Sequence, residues 1–439
     1  MLDHRVRREV PVSAVPPIPR RVELGAVTVL VGHVLDVLAD VPDASVHSIV
    51  TSPPYWGLRD YGCAPIDWPA VEYAPIWYLP PVRVEAMRCA LGLEPDVASF
   101  IAHMVLVFRG LRRVLRDDGT CWVNLGSSYA TGTNAPRGAS VERDGQDKPA
   151  GWTNRCQDTR RSPEGLAAKQ LVHTPSLLAL ALQADGWIWR SEVIWQKPSP
   201  MPESVTDRPT VSHEQVLLFA KSPRYFYDAT AIREPDSGQP AGNGLAGRQG
   251  GARNTVVRGG IGSTEPWQPG AGRNARTVWK IPAAPFKGAH FATFPPELAR
   301  RCIVAGTSAR GACAACGAPW RRDVEREFVP QADVSPERAV RGADGQKPLD
   351  ETNHRQGYPR GTATTTTTGW SPTCDCGAAV VPCTVLDPFG GSGTTGAAAK
   401  TLGRTALLCE AQPEYLPLIA RRVAEAPAYQ PALDLGGVR

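Results

Sequence analysis

Short β-branched and apolar runs alternate along this chain with stretches whose apolar positions recur at helical spacing. Residues 27–31 form one such run, ending at Gly32. Residues 33–38 continue into a predicted helix, and 46–50 form a second run, stopped abruptly by Thr51-Ser52-Pro53-Pro54-Tyr55-Trp56. Residues 96–116 place apolar side chains three and four apart, as one buried helix face requires. Asp117-Asp118-Gly119 then predicts a turn and 120–125 a strand. Residues 171–184 predict a helix closed by Asp185-Gly186, followed by strands at 187–195 and 215–220 whose Trp side chains are expected in the core. A short helix is predicted at 295–304, and 384–425 reads as strand, turn, helix, strand, helix. Strands that alternate with helices predict an α/β fold, a doubly wound parallel sheet covered on both faces.

Between these elements lie polar stretches at 130–165, 235–275 and 331–373, the last with a Thr run at 364–368, all expected to be irregular. Gly and Pro number 42 each in 439 residues, an excess that fits long loops on a folded core. No stretch approaches 18 apolar residues, so no membrane partner is expected. The basic, proline-broken amino terminus has no apolar signal core, which predicts a cytoplasmic protein. Net charge is only +5, but 248–287 carries seven basic residues against the single acid Glu265. That stretch suits a polyanion, and it suits a solvated loop equally well.

Two motifs carry chemistry. The first is the run from Asp387 through Pro388, Phe389, Gly390, Gly391, Ser392, Gly393 and Thr394, a strand end, a glycine turn and a helix start. Glu410 closes the next strand 20 residues after Gly390. Glycines admit a ligand close to the backbone, and a carboxylate at the neighbouring strand tip can bond ribose hydroxyls. The Asp387 carboxylate would repel a pyrophosphate and, with the Phe389 ring beside it, suits a cation such as S-adenosyl-L-methionine. The second motif is Ser52-Pro53-Pro54-Tyr55. Its prolines fix the backbone and leave carbonyls as acceptors, Ser52 adds a hydroxyl, and Tyr55 offers a face for a planar base. Such a corner suits an exocyclic amine, whose protons it accepts while the nitrogen lone pair is freed. Taken alone, it reads more readily as a proline-rich strand end with a packing Tyr.

Thr-Ser-Pro-Pro-Tyr-Trp at 51–56, followed far downstream by Asp-Pro-Phe-Gly-Gly-Ser-Gly-Thr-Thr at 387–395, resembles the site-specific DNA amino-methyltransferases that modify cytosine N4 or adenine N6. With the catalytic motif first and the cofactor motif last, it resembles their circularly permuted β-class. The resemblance implies a Rossmann-like methyltransferase sheet that acts on double-stranded DNA by flipping the target base. It implies Ser52, Pro53, Pro54 and Tyr55 as the catalytic corner. It places Asp387 to Thr394, Glu410, Thr51 and Phe294 at the cofactor, with Tyr415 and Arg421 on the following helix. The Thr-Ser prefix favours cytosine N4, with adenine N6 as the alternative. The family often has Gly-Asp after its first strand; here Gly32-His33 stands there, with Asp36 three residues on, so either side chain could meet the cofactor. A homodimer and a cognate restriction enzyme are compatible partners. A nucleotide-dependent oxidoreductase and a non-catalytic zinc-dependent DNA-binding protein remain as other readings.

On this basis the chain divides into a flexible basic tail (1–21), a catalytic half (22–227), a target-recognition region (228–280), a cofactor half (281–312 and 377–425) and a tail (426–439). Arg253, Arg258, Arg273 and Arg276 of the recognition region are expected on DNA. The remaining segment, 313–376, is bracketed by Cys313-Ala-Ala-Cys316-Gly and Cys374-Asp-Cys376-Gly. Two close thiol pairs, each before a glycine, suit a structural tetrahedral Zn²⁺ and resemble zinc-ribbon knuckles; four unligated thiols are the alternative. Cys302 and Cys383 are expected to be packing residues.

Overall fold

The computed structural model describes residues 20–57, 62–130, 166–234, 273–284, 294–330 and 361–430. Nine strands form one sheet: β1 (Arg21–Leu24), β2 (Val27–Val31), β3 (Val46–Thr51), β4 (Leu115–Leu125), β5 (Ile188–Gln196), β6 (His213–Ala220), β7 (Val278–Lys280), β8 (Thr384–Asp387) and β9 (Thr405–Glu410). Their order is β1-β2-β9-β8-β3-β4-β6-β5-β7. From β2 to β4 all neighbours are parallel, β1 and β6 run antiparallel to theirs, and β7 is parallel to β5. The two strands at the centre, β3 and β8, come from opposite ends of the chain.

Helices cover both faces, as the doubly wound expectation requires. α1 (Val34–Val37), α2 (Val97–Val114) and α3 (Thr174–Ala184) lie over one face, where Phe100, Met104, Phe108 and Leu111 meet Trp187 and Phe219. α4 (Pro296–Gly306), α5 (Thr394–Thr401) and α6 (Leu416–Glu425) cover the other, where Leu298, Ile303 and Ile419 pack with Trp122 and Trp279. α2 starts where Asp96 accepts the Ser99 N–H at 2.8 Å, and ends with Arg112 and Arg113 beside the negative helix terminus. Trp187 and Trp195 are buried, as are Cys302 and Cys383. Among the described residues no helix is long and apolar enough to cross a membrane.

Two local expectations change. The turn at Asp117-Asp118-Gly119 lies inside β4, whose register against β3 jumps from Val46↔Leu115 to Ser48↔Thr120. The extra residues bulge out, and Lys221 holds Asp117 at 2.8 Å. The stretch 331–373 was expected to be irregular, but its Thr run belongs to a strand, Gly361–Ser371, paired antiparallel with Arg321–Pro330. β-branched Thr suits a pleated strand, and low sequence complexity masked that propensity.

Candidate active site

β3 is buried along its whole length and delivers Thr51 to the carboxyl edge of the sheet, where Ser52 to Tyr55 turn away. β8 lies parallel beside it, with Val385 opposite Ser48 and Leu386 opposite Ile49, so Asp387 and the glycine turn emerge at the same edge. Crevices at the carboxyl ends of parallel strands are where such sheets bind ligands. Here a cavity of about 620 Å³ opens between the two motifs. Ser52, Pro53, Pro54 and Tyr55 line one side of it. Pro388, Phe389, Gly390, Gly391, Ser392 and Thr394 line another, with Glu410, Phe294, Tyr415 and His33 completing that part of the wall.

Thr51, Asp387 and Gly393 stand behind the wall. Asp387 was expected to face the cofactor, yet it is 1% exposed and its carboxylate is already occupied. Thr51 donates to Oδ1 at 2.7 Å, Thr395 to Oδ2 at 2.7 Å, and the Phe389 N–H to Oδ1 at 3.1 Å. Burial pushes this carboxyl up to about 7 against the pull of those donors. Its place is that of a bolt between the corner and the turn.

The turn itself is closed by Gly393 N–H to the Gly390 carbonyl at 2.8 Å, and Gly393 sits at φ +80° as it enters α5. Glu410 accepts from the Gly391 N–H at 2.6 Å and from the Gln412 N–H at 2.8 Å, and burial raises its carboxyl to about 7. Each carboxylate oxygen keeps a further lone pair for a ligand hydroxyl. Of the two candidates after β2, His33 lines the cavity, its ring centroid 5.1 Å from that of Trp68 and nearly perpendicular to it, and Asp36 does not. Arg421 pairs with Glu425 away from the cavity, and Arg422 donates to Ser392 behind it.

Among the wall residues that escaped the sequence reading are Asn124, Trp195, Lys197 and Glu214. Glu214 accepts from the Tyr55 hydroxyl at 2.7 Å and from Asn124 Nδ2 at 3.1 Å, and Lys197 Nζ lies 2.5 Å from its other oxygen. Lys197 also sits 4.8 Å over the Trp195 ring. Asn124 is the lone polar residue among the last apolar positions of β4; a polar residue there is a signal for a site at that sheet edge. Beneath the corner, buried Glu94 accepts from the Gly92 N–H at 2.8 Å and meets His103 Nδ1 at 2.9 Å, while its carbonyl accepts from Trp56 at 3.2 Å.

The other expected sites lie apart. Arg273 and Arg276 share the carboxylate of Glu234 at 3.0 and 2.8 Å; Arg253 and Arg258 fall outside the described residues. Cys313, Cys316, Cys374 and Cys376 bring their sulfurs within 4.8 Å of one another. Backbone N–H groups of Cys316 and Ala315 pull the Cys313 thiol down to about 6, while the neighbouring sulfurs push Cys376 up to about 12.

A doubly wound sheet with a proline corner and a glycine turn facing one cavity is the arrangement of a methyltransferase. The profile of the N6/N4 DNA methylase family matches residues 46–313 and 383–421, and the chain belongs to that family. Membership sets aside the oxidoreductase reading. The chain is 40% identical over 285 residues to the Type II methyltransferase M.Cfr9I of Citrobacter freundii, covering 65% of this chain and 74% of that protein. It is 39% identical over 290 residues to the Type II methyltransferase M.XycI of Xanthomonas campestris pv. cyanopsidis, covering 66% and 75%. Among solved structures, the cytosine-N4-specific PvuII DNA methyltransferase aligns with a TM-score of 0.44 at 15% identity, over 90% of this chain and 86% of that one.

Proposed function

We propose that this DNA methyltransferase moves a methyl group from S-adenosyl-L-methionine to the exocyclic N4 of a cytosine flipped out of double-stranded DNA. The observation that carries this reading is the single cavity shared by Ser52-Pro53-Pro54-Tyr55 and the glycine turn. The donor fits the turn side. Glycine backbone, the Glu410 carboxylate and the rings of Phe389, Phe294 and Tyr415 match a nucleoside bearing a cationic tail. When bound, it supplies an electrophilic methyl carbon. The rest is done by the chain: Tyr55 stacks the base, and Ser52 Oγ and the Pro53 carbonyl accept amine hydrogens, aiming the lone pair. Holding both reactants in line provides most of the acceleration.

Arg273 and Arg276 of the recognition region meet DNA phosphates or guanines. The four thiols hold one structural Zn²⁺, with no open position for water. The Type II relatives support a cognate restriction enzyme as a functional partner.

The test is expression in a host without DNA methylation, followed by nucleoside mass spectrometry and modified-base sequencing of its DNA. N4-methylcytosine is expected. N6-methyladenine in its place would transfer the reading to adenine, and unmodified DNA would overturn it.

A further inference from the structure

Methylating an exocyclic amine leaves a proton to be removed, and the Ser-Pro-Pro-Tyr corner has no group that can keep one. Its prolines contribute carbonyls and Ser52 a neutral hydroxyl. Among the described residues the cavity wall holds two carboxylates, Glu410 and Glu214. Glu410 belongs to the glycine turn on the donor side of the cavity, where it holds the Gly391 and Gln412 N–H groups. Glu214 stands on the corner's side, joined to it directly through the Tyr55 hydroxyl at 2.7 Å.

We propose that Glu214 is the general base of the reaction, an inference that rests on the methyl-transfer reading. As the amine lone pair forms the new N–C bond, the C–S bond breaks with its electron pair kept by sulfur. The N–H proton passes to a Glu214 carboxylate oxygen and later to solvent. The products are a neutral N-methylated base, a neutral thioether and the regenerated carboxylate.

Three features of the site fit this role. Lys197 Nζ lies 2.5 Å from the other oxygen and fixes the carboxylate in place at the wall. Tyr55, Asn124 and Lys197 use three of its roughly four acceptor positions, which leaves one for the substrate. Its side chain is 18% exposed, which keeps it shielded while the proton can still reach water. The titratable groups facing it are Lys197 and Tyr55 from neighbouring elements, with His213 preceding it on β6.

The experiment is single-turnover methyl transfer from labelled S-adenosyl-L-methionine into DNA from a methylation-free host. It compares wild type, Glu214→Gln and Glu214→Asp at a series of pH values. Glutamine matches the side chain in size and cannot take a proton, so its rate should fall about 100-fold or more. Donor affinity, read by calorimetry, should stay within about twofold, Glu214→Asp should recover a substantial part of the rate, and the rise of rate with pH seen in wild type should vanish in Glu214→Gln. A Glu214→Gln rate within about threefold of wild type, a persisting pH limb, or an aspartate variant as slow as the glutamine one would overturn the proposal. A wild-type protein that transfers no methyl group at all would instead sink the reading beneath it.

Discussion

The Thr51 hydroxyl and the Asp387 carboxylate lie 336 residues apart in the chain and 2.7 Å apart in the fold. Thr395 grips the other carboxylate oxygen, so one buried acid fixes the end of β3, the end of β8 and the start of α5. This is how two motifs at opposite ends of the sequence come to share a cavity. Thr51→Val keeps the shape and removes the donor, leaving a buried acceptor under-satisfied at a cost of about 1–3 kcal/mol. Urea unfolding should report that loss, and methylation should fall with it because the corner and the turn lose register. A variant as stable as wild type would show the bond to be dispensable.

Asp387 and Glu410, each raised to about 7 by burial, make a pH prediction. In the unfolded chain both carboxyls lose their protons near pH 4; in the folded one they keep them to about 7. Between those limits the folded state binds more protons, so this contribution to stability shrinks as pH rises. His47 works in the opposite direction. Burial holds it down to about 4, so its contribution grows as pH rises towards its ordinary value. The clean measurement is therefore a difference. Wild-type stability relative to Asp387→Asn, followed by calorimetry, should fall between about pH 5 and pH 8. A flat or rising difference would contradict the assignment.

Ser52 adjoins the bolt but faces the cavity. Ser52→Ala removes a hydrogen-bond acceptor for the amine and leaves the glycine turn intact. Turnover should drop about 10²-fold or more while donor affinity holds. Equal losses in both would place Ser52 at the donor and not at the base.

Gly393 begins α5 at φ +80°, and a Cβ there would meet Ile419 Cγ2 at 3.1 Å and its Cα at 3.3 Å. Gly393→Ala would carry about 1–2 kcal/mol of left-handed strain and push against α6. It should weaken donor binding more than DNA binding, read by calorimetry with each ligand. Unchanged donor affinity would mean that the turn adapts.

Much of this was legible in the sequence. Val27–Val31 is a near-continuous apolar run because parallel strands are buried on both faces, and the two motifs sit directly on strand ends. What stayed hidden depends on pairing. Asp387 looked like a ligand group because nothing local shows that Thr51 and Thr395 consume it. Glu214 and Lys197 sit on neighbouring strands of a hairpin and become one ion pair only once that hairpin is in register with Asn124. The Thr run at 364–368 gains its strand from a partner about forty residues upstream, which no local window contains.

The cysteine knuckles sit at the far end of the same strands. Arg116 donates to the Cys316 carbonyl at 2.7 Å, and His47 bridges the Gly317 carbonyl at 2.9 Å to the Thr384 N–H at 2.9 Å, all at the amino ends of β3 and β8 or the start of β4. Because Nδ1 accepts from Thr384, Nε2 carries the proton and donates to Gly317, and the low pKa of His47 keeps that neutral form. The paired strands Arg321–Pro330 and Gly361–Ser371 leave from between Cys316 and Cys374, so a metal there closes the base of that hairpin. Purified protein should carry one zinc per chain by elemental analysis. Cys374→Ser should lose the metal and lower the melting temperature. The cavity lies at the carboxyl ends of the strands, so donor affinity should stay within about twofold even in the metal-free variant. Metal-free wild-type protein, or loss of donor binding together with the metal, would show that the knuckles are not a separate structural staple.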